Sequence, residues 1–322
     1  MGQRANIVIV ENGSSQLYYD HWCGNALDLE LFWGPEDFAA FVRQRDPEDD
    51  EYWLDERWCD GAALLDLNRR SLLFFGGECA RFNVRHRRVY FNLLRPRWPG
   101  WRIEWAHEGI VSIARAIGLP LDDFLVDSNP AELTYNAELS VHDIILSTVD
   151  RDGSSETRCV AGSWEALQLG PAELERAMEQ APPVTELVWD AEEYPRGGIH
   201  VDYPARILGT WWSDPTPRLE SLVTRAWPGW NLRWWRDEFE RQVELASVAI
   251  SFTGEATYAP AILASLWARS QQEEPTNPAR GALSALGEDA QINPCTDHTR
   301  GSLDGQRKRE ILWQEYSFDG DS

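Results

Sequence analysis

Apolar and β-branched residues come in short stretches divided by Gly, Pro, Asn and Asp over the first 265 or so residues. Ala5–Glu11 is rich in Val and Ile, Asn12-Gly13 signals a hairpin, and Gln16–Cys23 returns as a strand. Gly34-Pro35 opens a helix running to about Gln44, with Pro35, Glu36 and Asp37 suited to its first turn. Gly61–Leu67 and Ser71–Phe75 form a second hairpin about Asn68-Arg69. A helix over Arg87–Arg95 is stopped by Pro96, Trp101–Trp105 is a strand, and Glu108–Ile117 is a helix ending at Gly118. The order ββαββαβα repeats from Asp143 to about Val248.

The order repeats because the sequence does. At an offset of 136, Gly34-Pro35 meets Gly170-Pro171, Trp53 meets Trp189, Asp66 meets Asp202 and Arg70 meets Arg206. At an offset of 129, Trp98-Pro99-Gly100-Trp101 meets Trp227-Pro228-Gly229-Trp230, and Trp105 meets Trp234. Two WPGW strings, each followed four residues on by another Trp, point to an internal duplication. The fold class expected is α+β: two tandem diverged ββαββαβα units, packed pseudo-symmetrically, with mostly antiparallel sheets. The units are expected at 1–130 and 131–269. The stretch 270–322 is expected to be a polar, disordered tail in which Glu310–Phe318 docks back or acts as a peptide ligand. Trp53, Trp98, Trp101, Trp105, Trp189, Trp227, Trp230 and Trp234 are assigned structural duty, in the cores or between the copies.

Seventeen Trp in 322 residues is several times the usual share. The formal charge of −23 argues against nucleic acid and against an anionic membrane surface as partners. It leaves a simply soluble acidic protein, or one whose acid face meets a basic protein. The five cysteines are far apart and form no CxxC pair, so neither a disulfide framework nor a zinc ribbon is indicated. The N-terminal apolar run of four residues is too short for a signal peptide, and Asn6 stands where a myristoylation site needs Ser or Thr. A cytoplasmic location is expected.

At Met1–Asn6 (MGQRAN), with Tyr18-Tyr19-Asp20-His21-Trp22, Trp33-Gly34-Pro35 and Gly76-Gly77-Glu78, the chain resembles a group of bacterial proteins over the first copy at most. The resemblance implies a bacterial source. The group carries no activity to transfer.

Polar residues present in one copy only are the candidates for chemistry. Alternation puts Leu17, Tyr19, His21 and Cys23 on one sheet face, and Tyr18, Asp20 and Trp22 on the other. His107 and Glu108 follow the later strand, where the second copy has Arg236 and Asp237. If the strands are neighbours, His21, Cys23, His107 and Glu108, with Glu11 and Glu78, line one pocket. It would suit acid–base catalysis, a Cys nucleophile with a His base, or a metal. No spacing here is diagnostic and no cofactor is specified.

The acid run Asp46–Glu56 sets Asp46, Glu48, Asp49, Asp50, Glu51, Asp55 and Glu56 around Tyr52 and Trp53. It reads as a solvated loop anchored by Trp53, or as a partner-binding patch of Asp46, Glu48, Asp49, Asp50, Glu51, Tyr52 and Asp55. Two functional readings follow. One is a binding protein of immunity or inhibitor type that masks a basic partner. The other is a small-molecule enzyme, an acid–base hydrolase or transferase with its site in the first copy.

Overall fold

The computed structural model describes residues 3–127, 130–135, 143–271, 303–318 and 320. The fold is α+β with mixed sheets. The chain divides into two compact units. One gathers Met1–Ala80, Val89–Val126 and Tyr258–Ser322, the other Arg81–Arg88 and Asp127–Thr257.

The first unit is built on a five-stranded sheet ordered β2-β1-β3-β4-β5. Its strands are β1 (Ala5–Glu11), β2 (Ser14–Asp20), β3 (Gly61–Asp66), β4 (Ser71–Phe75) and β5 (Arg102–Trp105). The pairs β1–β2 and β3–β4 are antiparallel hairpins, whereas β1–β3 and β4–β5 run parallel. The sheet is thus mixed and not mostly antiparallel. The chain leaves β2 through helices α1 (Leu27–Leu31) and α2 (Pro35–Val42) and re-enters at the same end of the sheet, so β3 runs antiparallel to β2 and parallel to β1. From β4 it crosses over through α3 (Glu78–Phe82) and α4 (Val84–Leu94) to the opposite end, and such a crossover sets the parallel sense of β4 and β5. Every residue of β3 is buried, as a central strand covered on both faces requires. Helix α5 (Ile110–Ala116) packs against β3 and β4.

The second unit repeats this plan. Strands β6 (Asp143–Val149), β7 (Ser155–Ala161), β9 (Gly197–Asp202), β10 (Ile207–Trp212) and β11 (Asn231–Trp234) are ordered β11-β10-β9-β6-β7. Their pairing senses match those of the first sheet strand for strand. Helices α6 (Pro171–Gln180), α7 (Leu219–Ala226) and α8 (Glu240–Leu245) fill the connections. An addition is the parallel pair β8 (Glu186–Trp189) and β12 (Ala249–Phe252). Alternation sends Ile144 and Leu146 to one core and Ile145 to another, so this sheet too is covered on both faces. Residues Arg81–Arg88 belong here through Val84, buried in the core with Ile145 and Trp189, and through polar bonds. Arg87, fully buried, donates two bonds to Asp237 (3.1 and 2.5 Å) and one to the carbonyl of Ser213 (2.9 Å). Arg85 donates to the carbonyl of Thr253 (3.2 Å).

The WPGW segment forms the same turn in both units. The indole N–H of Trp98 donates to Leu31 O (2.9 Å) and that of Trp227 to Leu167 O (2.7 Å). Trp98 and Trp101 meet edge to face at 5.1 Å, and Trp227 and Trp230 do so at 4.9 Å. Gly100 and Gly229 both have φ of 78°, a left-handed position that glycine takes without strain. Asp66 Oδ1 accepts from the backbone N–H of Arg69, and Asp202 Oδ1 from that of Ala205, so each aspartate caps its hairpin turn. Trp98, Trp227 and Trp189 are among the largest fully buried side chains, Trp105 is buried, and Trp53 packs edge-on against Phe124. Trp101, Trp230 and Trp234 are half-buried at the core margins.

The C-terminal region departs from expectation. Helix α9 (Tyr258–Gln271), nearly all within the bounds of 131–269 expected for the second unit, belongs to the first, as does helix α10 (Gly305–Tyr316). Part of the expected tail is therefore ordered helix, while 272–302 lies outside the described residues. Ile311, Leu312 and Phe318 are buried in the first unit's core. Arg97 pairs with Glu315 (2.7 Å), and the Tyr316 hydroxyl donates to Leu93 O (2.8 Å). Glu310–Phe318 thus docks back onto its own chain.

Candidate functional site

Register places the ends of β2, β4 and β5 and the starts of β1 and β3 at one end of the first sheet. Ala5 faces both Asp20 and Gly61, Ala62 faces Phe75, and Phe74 faces Trp105. Backbone meets backbone there. A Cβ on Gly61 or on Gly76 would lie 2.9 Å from the carbonyl of Gly24. Gly77 rests on Asp28, whose carboxyl carbon would be 2.3 Å from a Cβ at that position. Asp28 is buried, and desolvation, helped by the charges of Glu30 and Glu78, pushes its carboxyl up to about 7 against the bond from the Leu29 N–H. Burial, then the fields of Asp28 and Glu78, push the Cys79 thiol up as well.

The pocket expected to unite His21 with His107 is not formed. His21 follows β2 and His107 follows β5, the two outer strands, with three strands between them. At about 4.8 Å per strand the separation is on the order of 19 Å. Glu11 lies at the other end of β1 and pairs with Arg43 (2.6 Å), while Glu108 pairs with Arg115. Glu78 opens α3, at the same sheet end as His21.

The strand expected to reach Cys23 stops at Asp20. The Asp20 carboxylate accepts from the backbone N–H groups of Trp22 (2.7 Å) and Cys23 (2.9 Å) and so turns the chain. The face alternation therefore fails beyond Asp20. Cys23 goes into the core, where burial first and the Asp20 charge next hold its thiol protonated, contrary to the role of nucleophile. His21 stays at the rim, with Nδ1 2.9 Å from the Tyr19 hydroxyl.

That rim adjoins the acid run. Glu48 donates its N–H to Leu17 O (2.8 Å), which pins the run along the edge strand β2. The fully buried Asn6 donates to Tyr52 O (3.1 Å) and accepts from the Leu54 N–H (2.7 Å), fixing the segment from beneath. Asp46, Asp49, Asp50, Glu51 and Tyr52 are exposed. Among the described residues, none of these four carboxylates makes an ion pair. Glu48 is half-buried, and burial followed by repulsion from Asp49 and Asp46 pushes its carboxyl up. Asp55 and Glu56 serve the backbone instead, accepting from Trp58 N–H (3.0 Å) and Val126 N–H (2.9 Å).

Rings continue the surface. Tyr52 meets Tyr19 at 6.0 Å, Tyr19 meets His21 at 6.2 Å and His21 meets Trp22 at 4.7 Å. Trp58 carries the guanidinium of Arg4 at 4.9 Å. Trp22, Tyr52 and Trp58 are 36%, 46% and 54% exposed. The sequence pointed to the acids and Tyr52, but not to Trp58, nor to Trp22, whose exposure depends on where β2 ends.

Comparison with protein-family models, with curated proteins and with solved structures finds no match to this chain. Among the described residues no group of three His, Cys, Asp or Glu is placed to hold a metal ion, and no helix is long and apolar enough to cross a membrane.

Proposed function

We propose that the protein is a binding protein of immunity or inhibitor type, whose first unit masks a basic protein partner. The observation that carries this is the ring series Tyr52–Tyr19–His21–Trp22 lying beside the exposed carboxylates of Asp46, Asp49, Asp50 and Glu51. Exposed Tyr and Trp supply contact area at low entropic cost, and carboxylates that make no ion pair of their own steer a cation and fix its register. Asn6 and the pairing of Glu48 with Leu17 hold the loop in place before binding, which lowers the ordering cost. The matching strand plans and WPGW turns support descent of the two units from one duplicated ancestor, with the acid–aromatic face special to the first.

The test is capture of a partner from the source organism's lysate, followed by titration of the purified pair in rising salt. The partner should be basic, and affinity should fall steeply with salt. Tyr52→Ala or Trp58→Ala should each cost about 2 kcal/mol or more, roughly thirtyfold. Asp46→Lys, Asp50→Lys and Glu51→Lys together should slow association; Asp49 is spared because it caps the Glu51 N–H. A captured partner that tolerates all these changes would remove the reading.

A further inference from the structure

Leu67 and Tyr203 hold the same place in the two units. Each directly follows the third strand's capping aspartate, and each donates its N–H to the neighbouring strand, to Val10 O and Val149 O, at 3.0 Å in both cases. In the second unit the Tyr203 ring, only 9% exposed, stands edge-on against Trp230 (5.7 Å, 80°). The Arg151 guanidinium lies over that ring at 5.5 Å and pairs with Glu175 (2.7 Å). In the first unit the shorter Leu67 leaves this space open. Trp101, the counterpart of Trp230, lines a groove of about 510 Å³ together with Leu67, Pro35, Pro99, Arg43 and Arg70. That volume is in the range of small-molecule sites.

The two cations differ. Arg43 is engaged by Glu11 (2.6 Å), whereas Arg70 is exposed and, among the described residues, makes no ion pair. Arg70 sits at a left-handed φ of 51°, and its guanidinium nitrogen lies beside the WPGW turn, 3.8 Å from where a Cβ on Gly100 would stand. A planar fork of this kind suits a carboxylate. Glu36, also on the wall, disfavours a multiply charged anion such as phosphate.

We propose that this groove binds an aromatic ring bearing a carboxylate, the ring taking against Trp101 the place that Tyr203 takes against Trp230, and the carboxylate meeting Arg70. A free aromatic acid or an aromatic residue at a peptide's C-terminus supplies this chemistry. The site is separate from the acid–aromatic face and does not depend on it.

Calorimetric titration of the full chain with N-acetyltyrosine, N-acetyltyrosinamide and the peptide Gly-Gly-Tyr tests the assignment. One-to-one binding of N-acetyltyrosine is expected, with the amide at least tenfold weaker. Binding of Gly-Gly-Tyr alone would assign the ligand to a chain end and still support the site. Leu67→Tyr should abolish binding while leaving circular dichroism unchanged, since the second unit accommodates that ring. Arg70→Gln, an exposed change that leaves the core untouched, should weaken the carboxylate tenfold and not the amide. No binding of either carboxylate, equal binding of acid and amide, or a folded Leu67→Tyr that binds normally would overturn the proposal.

Discussion

Asp28 is where side-chain chemistry and packing conflict most openly. Its carboxyl lies beneath Gly77, and burial pushes it up to about 7 from an ordinary 3.8. The folded form holds this proton more tightly than the unfolded form. Its stabilising contribution is therefore complete below about pH 4, declines as pH rises, and is lost once pH passes 7. The difference corresponds to at most about 4 kcal/mol. Asp28→Asn keeps the oxygen that accepts from Leu29 and removes the charge. The variant should unfold at higher urea than the wild type at pH 8 and at nearly the same urea at pH 4. A variant weaker at pH 8 would mean that the folded state uses the carboxylate's charge.

At the level of elements, α10 is the addition with the clearest energetic consequence. It meets α9 and buries Leu312 completely, and Lys308 lies 3.6 Å from the buried Asp37. Leu312→Ala should cost about 2–5 kcal/mol, the usual range for emptying a packed leucine site. A chain ending at Gln271 should lower the first unit's unfolding midpoint further, as read by urea titration of its Trp fluorescence. Elements set by local chemistry were legible in the sequence: the Asn12-Gly13 hairpin, the Gly34-Pro35 helix start, the second hairpin about Asn68-Arg69. Those decided at long range were not. Nothing near Gly61 says that β3 returns beside β1, and it is that return which puts His21 and His107 on opposite edges. The end of β2 was missed because Asp20 turns the chain with its own carboxylate. Helix α4 begins earlier than expected, at Val84, because the Asn83 side chain accepts from the N–H groups of Arg85 and His86. The acid run was visible as composition, its rigidity only as structure.

Across the whole molecule, Asp28 of the first unit and His86 of the second pull stability in opposite directions as pH falls. The first contains Asp28, which favours the fold as pH falls through 7. The second contains His86, which burial holds down to about 4. His86 contributes stability that is present above its ordinary 6.5 and is lost as pH falls through 4, to the extent of about 3 kcal/mol. His200, also in the second unit, is lowered by burial and acts in the same direction. Amide exchange measured at pH 7 and pH 4.5 should show protection falling selectively in the second unit. His86→Gln should lessen that selectivity, and equal losses in both units would contradict the assignment.

The order of synthesis gives the segmented first unit a further meaning. All residues of the second unit have been made once the ribosome passes Thr257, whereas the first unit still lacks Ile311, Leu312 and Phe318. At about 5–20 residues per second that delay lasts several seconds. Through that interval the earliest-made strands wait without part of their cover, and the nascent first unit is the part of the newborn chain that a chaperone would find open.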